Sequence, residues 1–87
     1  MDALDRKRKR LLYQASYRGF KEADLLIGGF ARTHLAELTD NELAEFEALL
    51  KINDRELYAY ATGNAPVPDN LEGAVMAKLR AFKLPGV

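Results

Sequence analysis

The chain has 87 residues, no cysteine, and 13 Lys/Arg balanced by 13 Asp/Glu. That length suits one domain with a single modest core, and the missing thiols exclude disulfides, thiolate metal sites and thiol nucleophiles. The 48% of hydrophobic residues, with few Gly and Pro, argue against a disordered chain.

The charge is unevenly placed. Residues 1–22 hold seven Lys/Arg against three Asp/Glu, and residues 23–64 hold three against eight. A chain that is basic at its start and acidic in its middle suits a partner with its own charge pattern better than a general polyanion. The basic start has no apolar segment after it, so no secretory signal is predicted. The longest apolar run, Leu25 to Ala31, falls far short of the ~20 residues of a membrane span. The expectation is a soluble, cytoplasmic protein without membrane insertion, and a monomer.

Apolar residues recur at spacings of three and four throughout, so every predicted element is a helix. The first covers residues 2 to about 17, with Leu4, Leu11, Leu12 and Ala15 on one side. Gly19 separates it from a second helix over about 20–34 that carries Phe20, Ala23, Leu26, Ile27, Phe30 and Ala31. Thr39 and Glu42 have the spacing of a capping box and open a third helix with Leu43, Phe46, Leu49 and Leu50. Asn53 opens a fourth with Leu57, Tyr60 and Ala61, ended at Thr62-Gly63-Asn64. Ala65-Pro66-Val67-Pro68 is a stiff connector. Asp69-Asn70-Leu71-Glu72 is predicted to open a fifth helix with Leu71, Val75, Leu79 and Phe82. The fold class is all-α: a compact bundle of five short helices in one domain over 1–87, core about 2–82 and tail 83–87. Short loops predict that sequential helices pack as neighbours.

Several chemistries lack support in this pattern. His34 is the only histidine and no zinc spacing surrounds it; it is read as bordering the end of the second helix. Gly28-Gly29 lacks the patterns of a phosphate loop and is read as close helix packing. The carboxylates Glu42, Glu45, Glu47, Asp54 and Glu56 are read as solvated helix faces. No catalytic residue, no metal ligand and no cofactor-binding residue is assigned. The run Arg6 to Arg10 points all round a helix and is not interleaved with stacking aromatics, so nucleic acid is a minor reading.

The informative stretch is Tyr17-Arg18-Gly19-Phe20-Lys21-Glu22-Ala23-Asp24. If Gly19 ends the first helix, Arg18 lies in its last turn and Glu22 in the first turn of the next, each suiting the local helix dipole. Tyr17, Arg18, Phe20, Lys21 and Glu22 around a bare glycine also make a flat patch of the residue types that dominate binding hot spots. On physical grounds a structural corner and a protein-docking patch stand side by side.

The segment from Arg8 to Ala31 resembles the SdhE/YgfY family, the flavinylation assembly factors of succinate dehydrogenase. Its R-G-x-x-E motif is matched by Arg18, Gly19 and Glu22, followed by Asp24 and an apolar run. The resemblance continues through an acidic third helix, Asp54-Arg55-Glu56-Leu57-Tyr58, an aromatic and the Thr62-Gly63 turn, covering about 6–82. It implies a small five-helix assembly factor, not an enzyme. Such a protein binds the flavoprotein subunit of succinate dehydrogenase, and in some bacteria of fumarate reductase. It promotes covalent attachment of FAD, a cofactor that belongs to the client and is not held stably by this chain. The client-binding residues implied are Arg18, Gly19 and Glu22, with Asp24 supporting them, and Tyr17, Phe20 and Arg10 are added as neighbouring candidates. Gly19→Arg is expected to fold normally and fail in flavinylation, and Arg18→Ala and Glu22→Ala to weaken client binding at little cost in stability. The alternatives are an antitoxin-like interaction module, or a nucleic-acid-binding domain using the basic first helix.

Overall fold

The computed structural model describes residues 3–83. Its helices are α1 (Ala3–Ser16), α2 (Lys21–His34), α3 (Asp40–Leu49), α4 (Asp54–Thr62) and α5 (Ala74–Ala81), with short 3₁₀ turns at Leu35–Glu37 and Asp69–Leu71. The expected start of the first helix at residue 2, and tail residues 84–87, lie outside the described residues.

Local chemistry explains most of the boundaries. The Thr39 hydroxyl accepts from the Glu42 amide at 3.2 Å, and the Glu42 carboxylate accepts from the Thr39 amide at 2.9 Å. This reciprocal box opens α3 as predicted. The bond from the Thr39 amide, followed by the one from Lys78, holds the Glu42 carboxyl below its usual pKa. The Asn53 side chain accepts from the Arg55 and Glu56 amides and opens α4. Gly63 ends α4 with φ +80°, the left-handed conformation that glycine adopts without a Cβ clash.

α5 departs from expectation. Asp69–Leu71 is only a 3₁₀ turn, and the helix starts five residues later, at Ala74. No side chain of its own caps it. Instead Glu45 of α3 accepts from the Val75 amide at 2.8 Å and the Met76 amide at 3.2 Å. A carboxylate at a helix start satisfies amides that have no intrahelical acceptor and suits the dipole there. Glu45 is therefore a cap, not a solvated side chain. Glu45→Ala is expected to cost about 1–2 kcal/mol, read as a lower urea midpoint with an unchanged slope; a midpoint within error of wild type would deny it the capping role.

Of the other carboxylates expected to be solvated, Glu56 is exposed as expected, while Glu47 and Glu42 are engaged. Glu47 takes Arg10 at 2.6 Å and Lys7 at 3.5 Å, and Glu42 takes Lys78 at 2.9 Å. The acidic middle of the sequence thus serves largely to hold the bundle together. The basic run contributes as well, because Arg8 donates to the carbonyls of Leu35 at 3.3 Å and Leu38 at 3.1 Å.

The core is filled by Leu11, Ala23, Ile27, Phe30, Leu43, Phe46, Leu57, Val75, Met76 and Leu79. Phe30 of α2 is its hub, with ring centroids 5.6 Å from Phe46 and 5.8 Å from Phe82. Leu4, Leu12, Leu26, Tyr60 and Leu71 are half-buried against it. Helix backbones pair most closely as α1 with α2, α2 with α4, α3 with α5, and α4 with α5. Sequential packing therefore holds for the first and last pairs, while α3 turns to α5. Gly28 permits the tight α1–α2 seam: a Cβ there would stand 3.0 Å from the Ser16 Cα. His34 borders the end of α2 as expected, its ring 5.1 Å from Phe30 and 5.8 Å from Phe82.

Candidate functional site: the Arg18–Gly19 corner

α1 stops at Ser16, and Tyr17 to Phe20 form a bend before α2. Arg18 therefore lies beyond the helix and not in its last turn, which holds no basic residue. Only 9% of Arg18 is exposed. Its guanidinium reaches the connection between α3 and α4. There Nη1 donates to the Leu50 carbonyl at 2.7 Å, and Nη2 donates to the Ile52 carbonyl at 2.9 Å. The same Nη2 stands 2.9 Å from Asp54 Oδ1, at the start of α4.

This geometry has a direct physical reason. The last carbonyls of a helix lack intrahelical donors and carry the negative end of its dipole. A planar fork with several N–H groups can serve two carbonyls and a carboxylate together. The dipole that Arg18 serves is that of α3, not α1. The Arg18 backbone amide in turn donates to Asp24 Oδ1. Asp24 sits half-buried within an apolar helix face because it ties the bend to α2.

Gly19 follows with φ +118°, a backbone conformation that L side chains rarely adopt. A Cβ there would also stand 2.9 Å from Asp54 Oδ2. Gly19 is thus required by the corner itself. The expectation that Gly19→Arg folds normally is corrected by both facts.

Phe20 is half-buried and faces α4. Its ring meets Tyr58 edge-on at 5.4 Å, and the Arg55 guanidinium lies 5.0 Å over it. Glu22 is exposed in the first turn of α2 and forms no ion pair with Arg18 among the described residues. It borders an open cleft of about 430 Å³ shared with Leu25, Leu26, Tyr58, Arg80 and Phe82. Tyr17 is exposed, and Arg10 turns to α3 to meet Glu47.

The structure therefore separates the candidates. Arg18, Gly19 and Asp24 build the corner from within, whereas Phe20 and Glu22 shape its surface. Asp54, Arg55 and Tyr58 join them from α4. Sequence reading gave these three no site role, although the Asp54 to Tyr58 pattern was there to be seen. Its proximity to Gly19 depends on the fold. Among the described residues no group of histidines and carboxylates is placed to hold a metal ion. No described helix is long and apolar enough to cross a membrane.

A sequence profile of the family described as "Flavinator of succinate dehydrogenase" matches residues 9–83, which include the whole corner and every helix start after α1. The chain belongs to this family. Proteins named mitochondrial succinate dehydrogenase assembly factor 2 are similar over nearly all of it. The one from Candida glabrata is 41% identical over 85 residues, covering 93% of this chain and 56% of the relative. The one from Saccharomyces cerevisiae is 40% identical over 80 residues, covering 88% and 49%. The one from Danio rerio is 37% identical over 83 residues, covering 93% and 52%. The chain spans about half the length of these curated relatives. The region matched to the flavinator family holds the Arg18 to Glu22 segment and α2 to α5 of this chain.

Proposed function

We propose that this chain is an assembly factor that binds the flavoprotein subunit of succinate dehydrogenase and promotes covalent attachment of FAD to it. The observation that carries this reading is the match of the flavinator family over residues 9–83, with the Arg18 to Glu22 corner inside it. The corner geometry supports a docking role: a fixed backbone bend presents Phe20 and Glu22 beside Arg55 and Tyr58 on one face. The proposed mechanism is positioning. The chain holds the client so that flavin and target side chain meet in a reactive orientation, and pre-paid orientation alone accelerates a reaction greatly. No catalytic group is assigned to this chain, and FAD remains the client's.

The proposal extends to the flavoprotein subunit of fumarate reductase as a second client, and the proposed working state is a monomer. The relatives are named mitochondrial. The compartment follows the client, so cytoplasmic action is proposed for cells that mature the flavoprotein there. The nucleic-acid reading is disfavoured, because Lys7, Arg8 and Arg10 of the basic run are engaged within the bundle.

Covalent flavin on the client, read as fluorescence in a denaturing gel, tests the function. Deleting the chain is expected to abolish the signal and wild type to restore it. Glu22→Ala is expected to lower it several-fold with a melting temperature within about 2–3 °C of wild type, since surface changes cost within ~0.5 kcal/mol. Undiminished fluorescence in the deletion strain would sink the function. Full rescue by Glu22→Ala would remove Glu22 from the contact.

A further inference from the structure

The corner leaves a feature at the end of α1 without a role. Tyr13 and Tyr17 are 67% and 69% exposed, two of only three large hydrophobic side chains so placed among the described residues. Their ring centroids lie 4.7 Å apart. Lys9 and Tyr13 stand one turn apart on α1, and the Tyr17 ring continues the row just past the helix end. The row borders two shallow clefts. One, of about 340 Å³, is shared with Leu12, Ser16 and Arg32. The other, of about 360 Å³, is lined in part by Arg18, Glu47 and Lys51.

The charge of this face has one sign. Glu47, the sole carboxylate lining either cleft, is already neutralised by Arg10 and Lys7. Lys9, Arg32 and Lys51 form no ion pair with any described residue. Exposed paired tyrosines offer large, rigid, amphipathic area that becomes favourable when covered. Tyr and Arg are the residue types enriched where protein partners bind. Unpaired cations around such a ridge select a partner of opposite charge and speed its approach.

We propose that the Tyr13–Tyr17 ridge docks an acidic segment of the client flavoprotein, with carboxylates meeting Lys9, Arg32 and Lys51 while the rings cover the apolar surface between them. This rests on the function proposed above and adds to it a second contact. The corner sets the client's orientation, and the ridge supplies affinity and rate of encounter.

The test measures binding of the purified flavoprotein subunit to the full chain at low and high salt, using wild type, Tyr13→Ala/Tyr17→Ala and Lys9→Glu/Arg32→Glu. All four positions are exposed, so melting temperatures should be unchanged. Each double variant is expected to bind about tenfold more weakly or worse. The charge-reversed one is also expected to lose most of the salt dependence. Wild-type binding matched by both variants would overturn the ridge and leave the function standing. Absence of wild-type binding would overturn both. A labelled single-stranded oligonucleotide is the control: ridge-dependent capture of it, with client binding unchanged in the variants, would overturn the proposal in favour of a nucleic-acid surface.

Discussion

Arg18→Ala is expected to lower stability by about 2–4 kcal/mol, a fall of roughly 10–25 °C in melting temperature for a chain of this size. The substitution strips the Leu50 and Ile52 carbonyls of their donor and leaves Asp54 without its cation. Asp54 is 36% exposed, so water screens that ion pair, and the two carbonyls account for most of the loss. Arg18→Lys should recover less than half of it, because one ammonium cannot reproduce a planar fork reaching three acceptors. Thermal unfolding by circular dichroism decides. A shift of under about 3 °C for Arg18→Ala would show that the fork contributes little. A large shift would correct the sequence-based expectation of little cost. It would also mean that lost flavinylation in this variant reports a loosened bundle before it reports a lost contact.

Gly19→Ala is expected to cost about 1–3 kcal/mol by itself. The backbone at φ +118° lies where only glycine is comfortable, and the new Cβ meets the Asp54 carboxylate. That carboxylate cannot simply swing aside, since its other oxygen is held by Arg18. The steric share can be separated from the backbone share by a double-mutant cycle with Asp54→Ala. Removing Asp54 takes away both the obstacle and the ion pair, so the two alanines together should cost less than the sum of their separate effects. Strict additivity in urea denaturation would assign the whole cost of Gly19→Ala to backbone conformation. Gly19→Arg adds a long cation at the same point and is expected to be no more stable than Gly19→Ala. Its failure in flavinylation therefore needs the stable Glu22→Ala variant beside it before the corner is taken as a contact.

The fold was legible where the signals are local. Thr39 with Glu42, Asn53, and Gly63 act on amides or carbonyls within a few residues, so their spacing alone sets the ends of α3 and α4. Apolar periodicity likewise identified most of the core, although Met76 escaped beside the expected stripe of α5, and Leu35 and Leu38 escaped because they lie past the end of α2, outside the predicted helices. What was not legible is long-range. Arg18 reads in sequence as an exposed hot-spot residue, and its burial depends on the end of α3 arriving beside it. Glu45 and Glu47 read as a solvated acidic face, yet their partners lie on α5 and α1. Charged side chains that cap another segment look the same, in a linear chain, as charged side chains in water. The motif was visible; its division into a buried support and an exposed surface was not.

The borrowed cap of α5 has a consequence for how this chain can vary over generations. Gly73 stands so close to the Glu45 carboxylate that a Cβ would come within 2.6 Å of Oε2. Any residue other than glycine at 73 must push the acceptor away from the Val75 and Met76 amides, while a shorter side chain at 45 leaves those amides waiting for a cap of their own. Neither change is free alone, but the two together are compatible: a serine or aspartate at 73 could cap α5 locally once 45 no longer reaches across. Positions 45 and 73 are therefore sterically one unit written in two places, so a change tolerated at either depends on the other despite the 27 residues between them.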